Sequence, residues 1–315
     1  MKTGIEYGQV AWNPVTGCTK ISEACQNCWA ERMSKRLAGR CGYDKDEPFK
    51  VTLHPDRLQD PLKWKKPRTV LVSFMGDLFH EDVPTKFIID CLSIMAEAYQ
   101  HTFMILTKRP ERMRAIMSHE TIANDVWLQT SRGVNAEPSP WPLPNLWLGV
   151  TAENQEQADK RIPVLLQIPA AVRFVSVEPC LSAVNIAQYL QGYKPQGGIK
   201  ANDQARNGVS GEAPTIDWVI CGGETGPGAR PMHPDWVRSL KDQCQAAETS
   251  FYFKQWGEWS PTPAKDVPVR GCLDGGRFHS GSNPSVGLAM YRVGKKAAGR
   301  ILDGRTWDEF PEAIL

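Results

Sequence analysis

Short apolar runs, rich in β-branched and aromatic residues, recur along the chain, and polar residues follow each of them. The runs lie at 69–75, 102–107, 146–151, 172–178, 217–224 and 251–256. Continuous apolar runs indicate strands that are buried on both faces, as in a parallel sheet. Apolar stripes at helical spacing separate several of the runs, at 85–100, 154–167 and 234–247. Alternating strands and helices predict an α/β fold built as a (β/α) barrel.

The polar residues at the predicted strand ends are the first candidates for chemistry. They include Gly76, Asp77, Lys108, Thr151, Glu153, Glu178, Glu224 and Lys254. A single charged residue after a strand is usually a helix cap or part of a solvated turn. In α/β barrels and open α/β sheets, however, the carboxyl ends of the strands carry the active site. Six polar strand ends together therefore predict a functional rim.

Five cations lie on or near this predicted rim: Lys108, Arg109, Arg173, Arg230 and Lys254. Lysine and arginine side chains at such a rim bind carboxylate or phosphate groups of a ligand. The alternative is that they are ordinary ion-pair partners of the acidic residues beside them. The sequence leaves both interpretations open.

The pattern changes in three places along the chain. Residues 130–145 and 191–214 are rich in proline, glycine and polar residues, and we predict surface loops there. From residue 260 onward the alternation of strands and helices is lost. We therefore predict a barrel domain over 1–259 and a carboxy-terminal cap over 260–315, with Trp307 and Phe310 able to dock the cap on the barrel.

Composition narrows the class of protein. The chain has 315 residues, with 37 basic and 35 acidic side chains. This balance argues against a nucleic-acid coat protein but permits a local basic cleft. Nine cysteines, an odd number, and an amino terminus without an apolar signal-like run predict a reducing, cytoplasmic location. We expect no membrane-spanning segment.

Three cysteines near the amino terminus, Cys18, Cys25 and Cys28, are separated by six and two residues. A loop followed by a helix start can bring three such thiolates to one point, which predicts a metal or cluster site with one open coordination position. A structural zinc site that recruits Cys41 is an alternative. Accidental packing of core cysteines is a third explanation.

Several motifs support a family resemblance that covers nearly the whole chain. They are WNPVTGC with CQNCWAERM, GDLFHEDVP, LTKRPERM, LGVTAEN, RFVSVEP, GGETGPGARPMHPDW, FYFKQWGEW and VGKKAAGRILDG. The chain resembles the radical S-adenosylmethionine (SAM) superfamily and, more closely, a phage- and prophage-associated family of uncharacterised proteins. The usual spacing of the first two cysteines in that superfamily is three residues, whereas this chain has six.

The resemblance implies a partial or complete TIM-like barrel of the radical SAM type, with a 4Fe-4S cluster on Cys18, Cys25 and Cys28. It also implies that SAM binds the cluster and is cleaved reductively to a 5'-deoxyadenosyl radical that abstracts hydrogen from a substrate. From their places at the ends of successive predicted strands, we assign Gly76, Asp77, Thr151 and Glu153 to cofactor binding. We assign Lys108, Glu178, Glu224 and Lys254 to catalysis.

The expected substrate is a small molecule, a nucleotide or a nucleic acid, and the expected electron donor is a flavodoxin or ferredoxin. The host would be a bacterium carrying the phage or prophage. The alternative function is a non-catalytic zinc- or cluster-containing phage protein that binds nucleic acid or a host factor. Stoichiometric zinc, absence of SAM binding and a structural need for Cys41 would distinguish this alternative.

Overall fold

The computed structural model describes residues 2–5, 7–130, 140–192, 214–262, 272–274, 277–279 and 289–311. Most of the two predicted loops, 131–139 and 193–213, lies outside the described residues. Among the described residues no helix is long and apolar enough to cross a membrane.

The strands and helices follow in the order that the apolar pattern predicts. The strands are β1 Lys2–Ile5, β2 Gly8–Trp12, β3 Val15–Thr16, β4 Thr52–Leu53, β5 Thr69–Val72, β6 Thr102–Thr107, β7 Leu146–Thr151, β8 Val172–Val177, β9 Trp218–Gly222, β10 Ser250–Gln255, β11 Trp259–Ser260, β12 Cys272–Asp274, β13 Arg277–His279 and β14 Met290–Arg292. The α-helices are α1 Trp29–Leu37, α2 Thr85–Glu97, α3 Pro110–Met117, α4 Ile122–Leu128, α5 Gln155–Leu165, α6 Ala187–Leu190, α7 Pro234–Ala246 and α8 Lys295–Ala298. Three 3-10 turns cover Glu23–Cys25, Pro55–Arg57 and Pro61–Lys63.

One eight-stranded sheet forms the centre of the molecule, in the order β1-β2-β5-β6-β7-β8-β9-β10. β1 pairs with β2 in antiparallel orientation, and the seven strands from β2 to β10 in this order are parallel. The prediction of an α/β fold is confirmed, and the barrel is a partial one, because β1 and β10 are the two edges of the sheet.

The helices cover the outer face of this sheet. In α2, Ile88, Cys91, Leu92 and Met95 are fully buried, at the spacing that places them on one face of a helix. They join a large apolar core with the outward-facing residues of the strands, such as Phe103 of β6. This packing explains why the six strands are apolar on both faces.

A second apolar cluster fills the inner, concave face of the sheet. Its buried members are Tyr7, Leu71, Met104, Trp147, Val172, Phe174, Trp218, Ile220 and Tyr252. The Trp218 ring lies at its centre, with ring centroids 5.6 Å from Tyr7, 5.9 Å from Trp147 and 5.9 Å from Tyr252. Side chains from the hairpin β1–β2 and from β10 meet only if the sheet curls strongly, so this cluster closes the bottom of a half-barrel.

The carboxy-terminal part of the chain forms a smaller four-stranded sheet in the order β11-β14-β12-β13. Beyond this sheet, the chain packs back on the half-barrel through two aromatic residues. Trp307 packs edge-on against Phe251, and Phe310 stacks on Trp218 with ring centroids 5.2 Å apart. The division into domains at residue 259 remains a prediction.

Candidate functional site

The three cysteines lie on one segment, residues 18–28, between β3 and α1. Cys25 ends the 3-10 turn, and Cys28 immediately precedes the first residue of α1. The segment starts against the end of β5, because the Gly17 amide donates to the Met75 carbonyl at 2.9 Å. Gly76 allows this approach, since a Cβ atom there would lie 2.7 Å from the Gly17 carbonyl oxygen. We call residues 18–28 the cysteine segment.

Arg109 is the first of three anchors between the cysteine segment and the carboxyl-terminal rim of the sheet. Its Nη1 atom lies 3.2 Å from Asp77 Oδ2 and 3.3 Å from Cys18 Sγ. Its Nη2 atom donates to Thr19 Oγ1 at 2.8 Å. Thr107, at the end of β6, fixes the carboxylate by donating to Asp77 Oδ1 at 2.7 Å. The ends of β5 and β6 thus hold the start of the cysteine segment.

Glu153 forms the second anchor at the end of β7. Its Oε2 atom accepts a hydrogen bond from Arg161 of α5 at 2.9 Å, and its Oε1 atom accepts one from the Ala24 amide at 3.5 Å. Burial alone would raise the pKa of Glu153, but attraction to Arg161 and a hydrogen bond from Ser22 lower it. This buried carboxylate is therefore held in its charged form beneath the middle of the segment.

Glu224, after β9, forms the third anchor. Arg230 Nη2 donates to Glu224 Oε1 at 2.7 Å, while its Nη1 donates to Glu23 Oε1 of the cysteine segment at 2.8 Å. Asn27 Nδ2 donates to Glu224 Oε2 at 3.1 Å. Burial would raise the pKa of Glu224, but the hydrogen bonds from Arg230 and Asn27 lower it. Glu224 thus connects the far rim to Asn27 directly and to Glu23, at the start of the 3-10 turn, through Arg230.

The remaining candidate residues lie on the concave face of the sheet, at its carboxyl-terminal end. We call this surface the inner wall. Lys254 Nζ lies 2.7 Å from Glu178 Oε2, and Lys108 Nζ donates to Thr151 Oγ1 at 3.5 Å. Glu178 has room because it faces Gly222, where a Cβ atom would lie 3.3 Å from the carboxyl group. The structure therefore separates the predicted residues into anchors of the cysteine segment and residues of the inner wall.

Tyr7 belongs to the inner wall although the sequence analysis did not select it. Burial alone would lower the pKa of the Lys254 ammonium group, but its interactions with Glu178 and Tyr7 raise it above the ordinary value. Burial also raises the pKa of Tyr7. A tyrosine immediately before a strand carries no distinctive signal in the sequence, so only the curl of the sheet reveals the contact between Tyr7 and Lys254.

One predicted rim residue lies elsewhere. Arg173 is the second residue of β8, at the amino end of the strand, and its side chain donates to the Ile168 carbonyl at 2.8 Å. Its expected place on the functional rim is wrong, because the residue lies at the amino end of β8 and the rim is formed by the carboxyl ends of the strands. Arg161, which the sequence analysis did not select, occupies the rim through Glu153.

The surroundings of the three cysteines decide how well they suit a metal ion. All three are half-buried free thiols, and among the described ranges no three His, Cys, Asp or Glu side chains are placed to hold a metal ion. Burial would raise the pKa of Cys25, but Lys108 and backbone hydrogen bonds from Ile21 and Ser22 lower it, which favours the thiolate. Burial and Asp77 instead raise the pKa of Cys18 to about 11, against the opposing effect of Arg109.

Three soft sulfur donors on one segment, with Arg109 and Lys108 nearby to compensate negative charge, fit the chemistry of an iron-sulfur or zinc site. Cys41, the fourth ligand of the zinc alternative, is an exposed free thiol, and Arg57 holds its backbone. Its carbonyl accepts a hydrogen bond from Arg57 Nη2 at 2.6 Å. The assignment of Cys18, Cys25 and Cys28 as ligands stays a prediction.

The chain matches a protein-family model and is similar in fold to a solved structure. No curated protein matches the chain. The structure of a spore photoproduct lyase complexed with a dinucleoside spore photoproduct is similar over 90% of this chain and 68% of that chain, with a TM-score of 0.41 and 10% sequence identity. A family model described as "Protein of unknown function (DUF5131)" matches residues 2–311, and the chain therefore belongs to the DUF5131 family.

Proposed function

We propose that this protein is a radical SAM-type iron-sulfur enzyme in which Cys18, Cys25 and Cys28 hold a 4Fe-4S cluster. One observation carries the proposal. The segment bearing all three cysteines lies over the carboxyl ends of the parallel strands and is tied to them by Arg109, Glu153 and Glu224. This is the end of an α/β barrel at which active sites are built.

A bound cluster with SAM would supply the one-electron cleavage that generates a hydrogen-abstracting radical. The residues of the chain position that chemistry. Asp77 acts through Arg109 on Cys18, and Glu153 contacts the backbone of the 3-10 turn. Gly76 keeps the segment close to β5. In this proposal Gly76, Asp77 and Glu153 shape the cofactor side of the site, and Thr151, which bonds Lys108, faces the substrate side.

The substrate side is the inner wall. Glu178 and Lys254 form an ion pair with side chains 19% and 15% exposed, so little water screens them. The raised pKa of Lys254 keeps the ammonium protonated, and a protonated lysine donates hydrogen bonds to an acceptor on the substrate. Glu178 orients Lys254, and together they would hold the substrate beside the cysteine segment.

Metal analysis of protein purified without oxygen tests the proposal directly. We expect about four irons and about four acid-labile sulfides per chain in the wild type. Cys25→Ala should lose both. Cys41→Ala is the matched control, because it removes an exposed thiol of the same chemistry outside the proposed ligand set, and it should keep the full iron content.

Reduction in the presence of SAM supplies the second readout. The iron-loaded wild type should form 5'-deoxyadenosine and methionine, and Cys25→Ala should not. About one zinc per chain without sulfide, lost in Cys41→Ala, would overturn the proposal and favour the non-catalytic zinc-binding alternative. Iron without SAM cleavage would restrict the protein to cluster binding.

A further inference from the structure

The cations of the rim are not equivalent, because most of them are neutralised within the protein. Arg109 pairs with Asp77 at 3.2 Å, Arg161 with Glu153 at 2.9 Å and Arg230 with Glu224 at 2.7 Å. Lys254 on the inner wall pairs with Glu178 at 2.7 Å. The three arginines hold the fold or the cysteine segment, and the charge of Lys254 is already balanced by Glu178.

Lys108 is the exception. Its ammonium donates to the Thr151 hydroxyl at 3.5 Å, and within the described part of the chain it makes no ion pair with a carboxylate. The side chain is half-buried, and it lies two residues beyond Leu106, which packs on the inner cluster. Its charge also acts on Cys25. Its charge acts on Glu153 as well, but among the described residues no carboxylate is in direct contact with the ammonium. A half-buried lysine outside any direct ion pair is suited to bind an anionic group.

An aromatic surface lies at the end of the neighbouring strand, because β5, which precedes Phe74, pairs with β6, which precedes Lys108. Trp29, the first residue of α1, is 43% exposed although it is among the largest apolar side chains of the chain. Its ring packs on Phe74 with centroids 5.6 Å apart, and Phe74 in turn packs on the inner cluster. Ile21, on the cysteine segment, is also exposed. Exposed apolar side chains grouped at a candidate site mark a binding surface.

We infer that Lys108, Trp29 and Phe74 form a nucleotide site, in which Lys108 and Thr151 hold a phosphate and a base stacks on Trp29. A half-buried lysine in no direct ion pair and an exposed tryptophan packed on half-buried Phe74, at the ends of two adjacent strands, match a ligand that carries both an anionic and a flat aromatic group. This inference rests on the proposed function and deepens it by naming the substrate class. The ligand is a nucleoside phosphate, either free or as a unit of a single strand.

Calorimetric binding to protein without bound iron tests this site independently of cluster chemistry. The probes are thymidine monophosphate and thymidine, because a pyrimidine separates the site from the adenosine part of SAM. Lys108→Met should weaken thymidine monophosphate binding about tenfold and leave thymidine binding unchanged. Trp29→Leu should weaken both about tenfold. Lys108→Arg should restore most of the phosphate-dependent affinity.

Matched controls lie at the other end of the molecule. Lys66→Met removes an exposed lysine before β5, and Tyr99→Leu removes an exposed aromatic residue after α2. Both should bind the probes like the wild type. A short single-stranded oligothymidylate should also be measured. If it binds at least tenfold more tightly than the mononucleotide, the natural ligand is a single strand, and if the two affinities are equal, it is the free nucleotide.

Three results would overturn the inference: no binding of either probe, unchanged affinity in Lys108→Met, or displacement of thymidine monophosphate by SAM. The third would reassign the surface to the cofactor. If the metal analysis fails but nucleotide binding shows this pattern, the site stands and the radical chemistry does not. If the metal analysis succeeds but the nucleotide does not bind in this pattern, the site is rejected and the radical chemistry stands.

Discussion

Arg109 Nη1 contacts the Sγ atom of Cys18 at 3.3 Å and the carboxylate of Asp77 at 3.2 Å. A single buried guanidinium thus joins the first of the three cysteines to the end of β5. Lysine cannot reproduce this contact, because its single ammonium lacks the fork of donors that reaches several acceptors at once. The first cysteine is therefore positioned by an ion pair of the protein itself.

Replacing Arg109 by Gln should lower both stability and metal content. The change leaves the Asp77 carboxylate buried without its counter-ion, which costs about 3 kcal/mol of unfolding free energy. Denaturant unfolding and iron analysis after anaerobic purification measure the two effects. Arg114→Gln, which removes an arginine of α3 that donates to Gln167 on the surface, should change neither. Wild-type iron content in Arg109→Gln would contradict the anchoring role.

Replacing Arg230 by Gln should loosen the cysteine segment without unfolding the barrel. Arg230 connects Glu224 to Glu23, so its loss frees the 3-10 turn from the far rim. Hydrogen exchange of metal-free protein should become faster in residues 18–28 and stay unchanged in β6 and β7. Arg238→Gln, which breaks an exposed pair with Asp303, serves as the control. Unchanged exchange in the segment would rule out this anchor.

The lowered pKa of Glu153 predicts how stability depends on pH. Because the folded state holds the carboxylate charged, Glu153 contributes stability above its unfolded pKa of about 4.3, and this contribution is lost as pH falls through the lower folded pKa. Glu153→Gln should be less stable than wild type at pH 7. The difference should shrink as the pH falls below about 4. A difference independent of pH would show that the charge of Glu153 is not what stabilises the fold.

The Glu178–Lys254 pair allows a double-mutant test. Lys254→Met leaves a poorly hydrated carboxylate without its partner and should cost about 3 kcal/mol, whereas the double variant Glu178→Gln with Lys254→Met should recover part of the loss. Urea unfolding of the four proteins measures the coupling. Additive effects of the two substitutions would indicate that the pair does not interact in solution.

The rim of this protein could be predicted only in part, for a physical reason. The strands Thr102–Thr107 and Leu146–Thr151 have the predicted bounds, because a short apolar run that must be buried on both faces carries its own signal. The order of strands then places Asp77, Lys108, Glu153, Glu178 and Glu224 at one edge, since parallel strands end on the same side. Arg173 was misplaced because its charge grouped it with the rim, although the predicted run 172–178 already put it at the amino end of the strand.

Only the tertiary structure decided which charged side chains of the rim pair with each other. Arg109 with Asp77, Arg161 with Glu153 and Arg230 with Glu224 are pairs between neighbouring loops and helices, and their formation depends on the curl of the sheet and the path of the cysteine segment. The same curl brings Tyr7 to Tyr252, and it leaves Lys108 bonded to the Thr151 hydroxyl and in no direct ion pair with a carboxylate among the described residues. The sequence by itself determined the parallel α/β framework and the three clustered cysteines, because apolar runs and short spacings are local properties. Side-chain pairing is non-local, and it was decided only when the strands were brought into register.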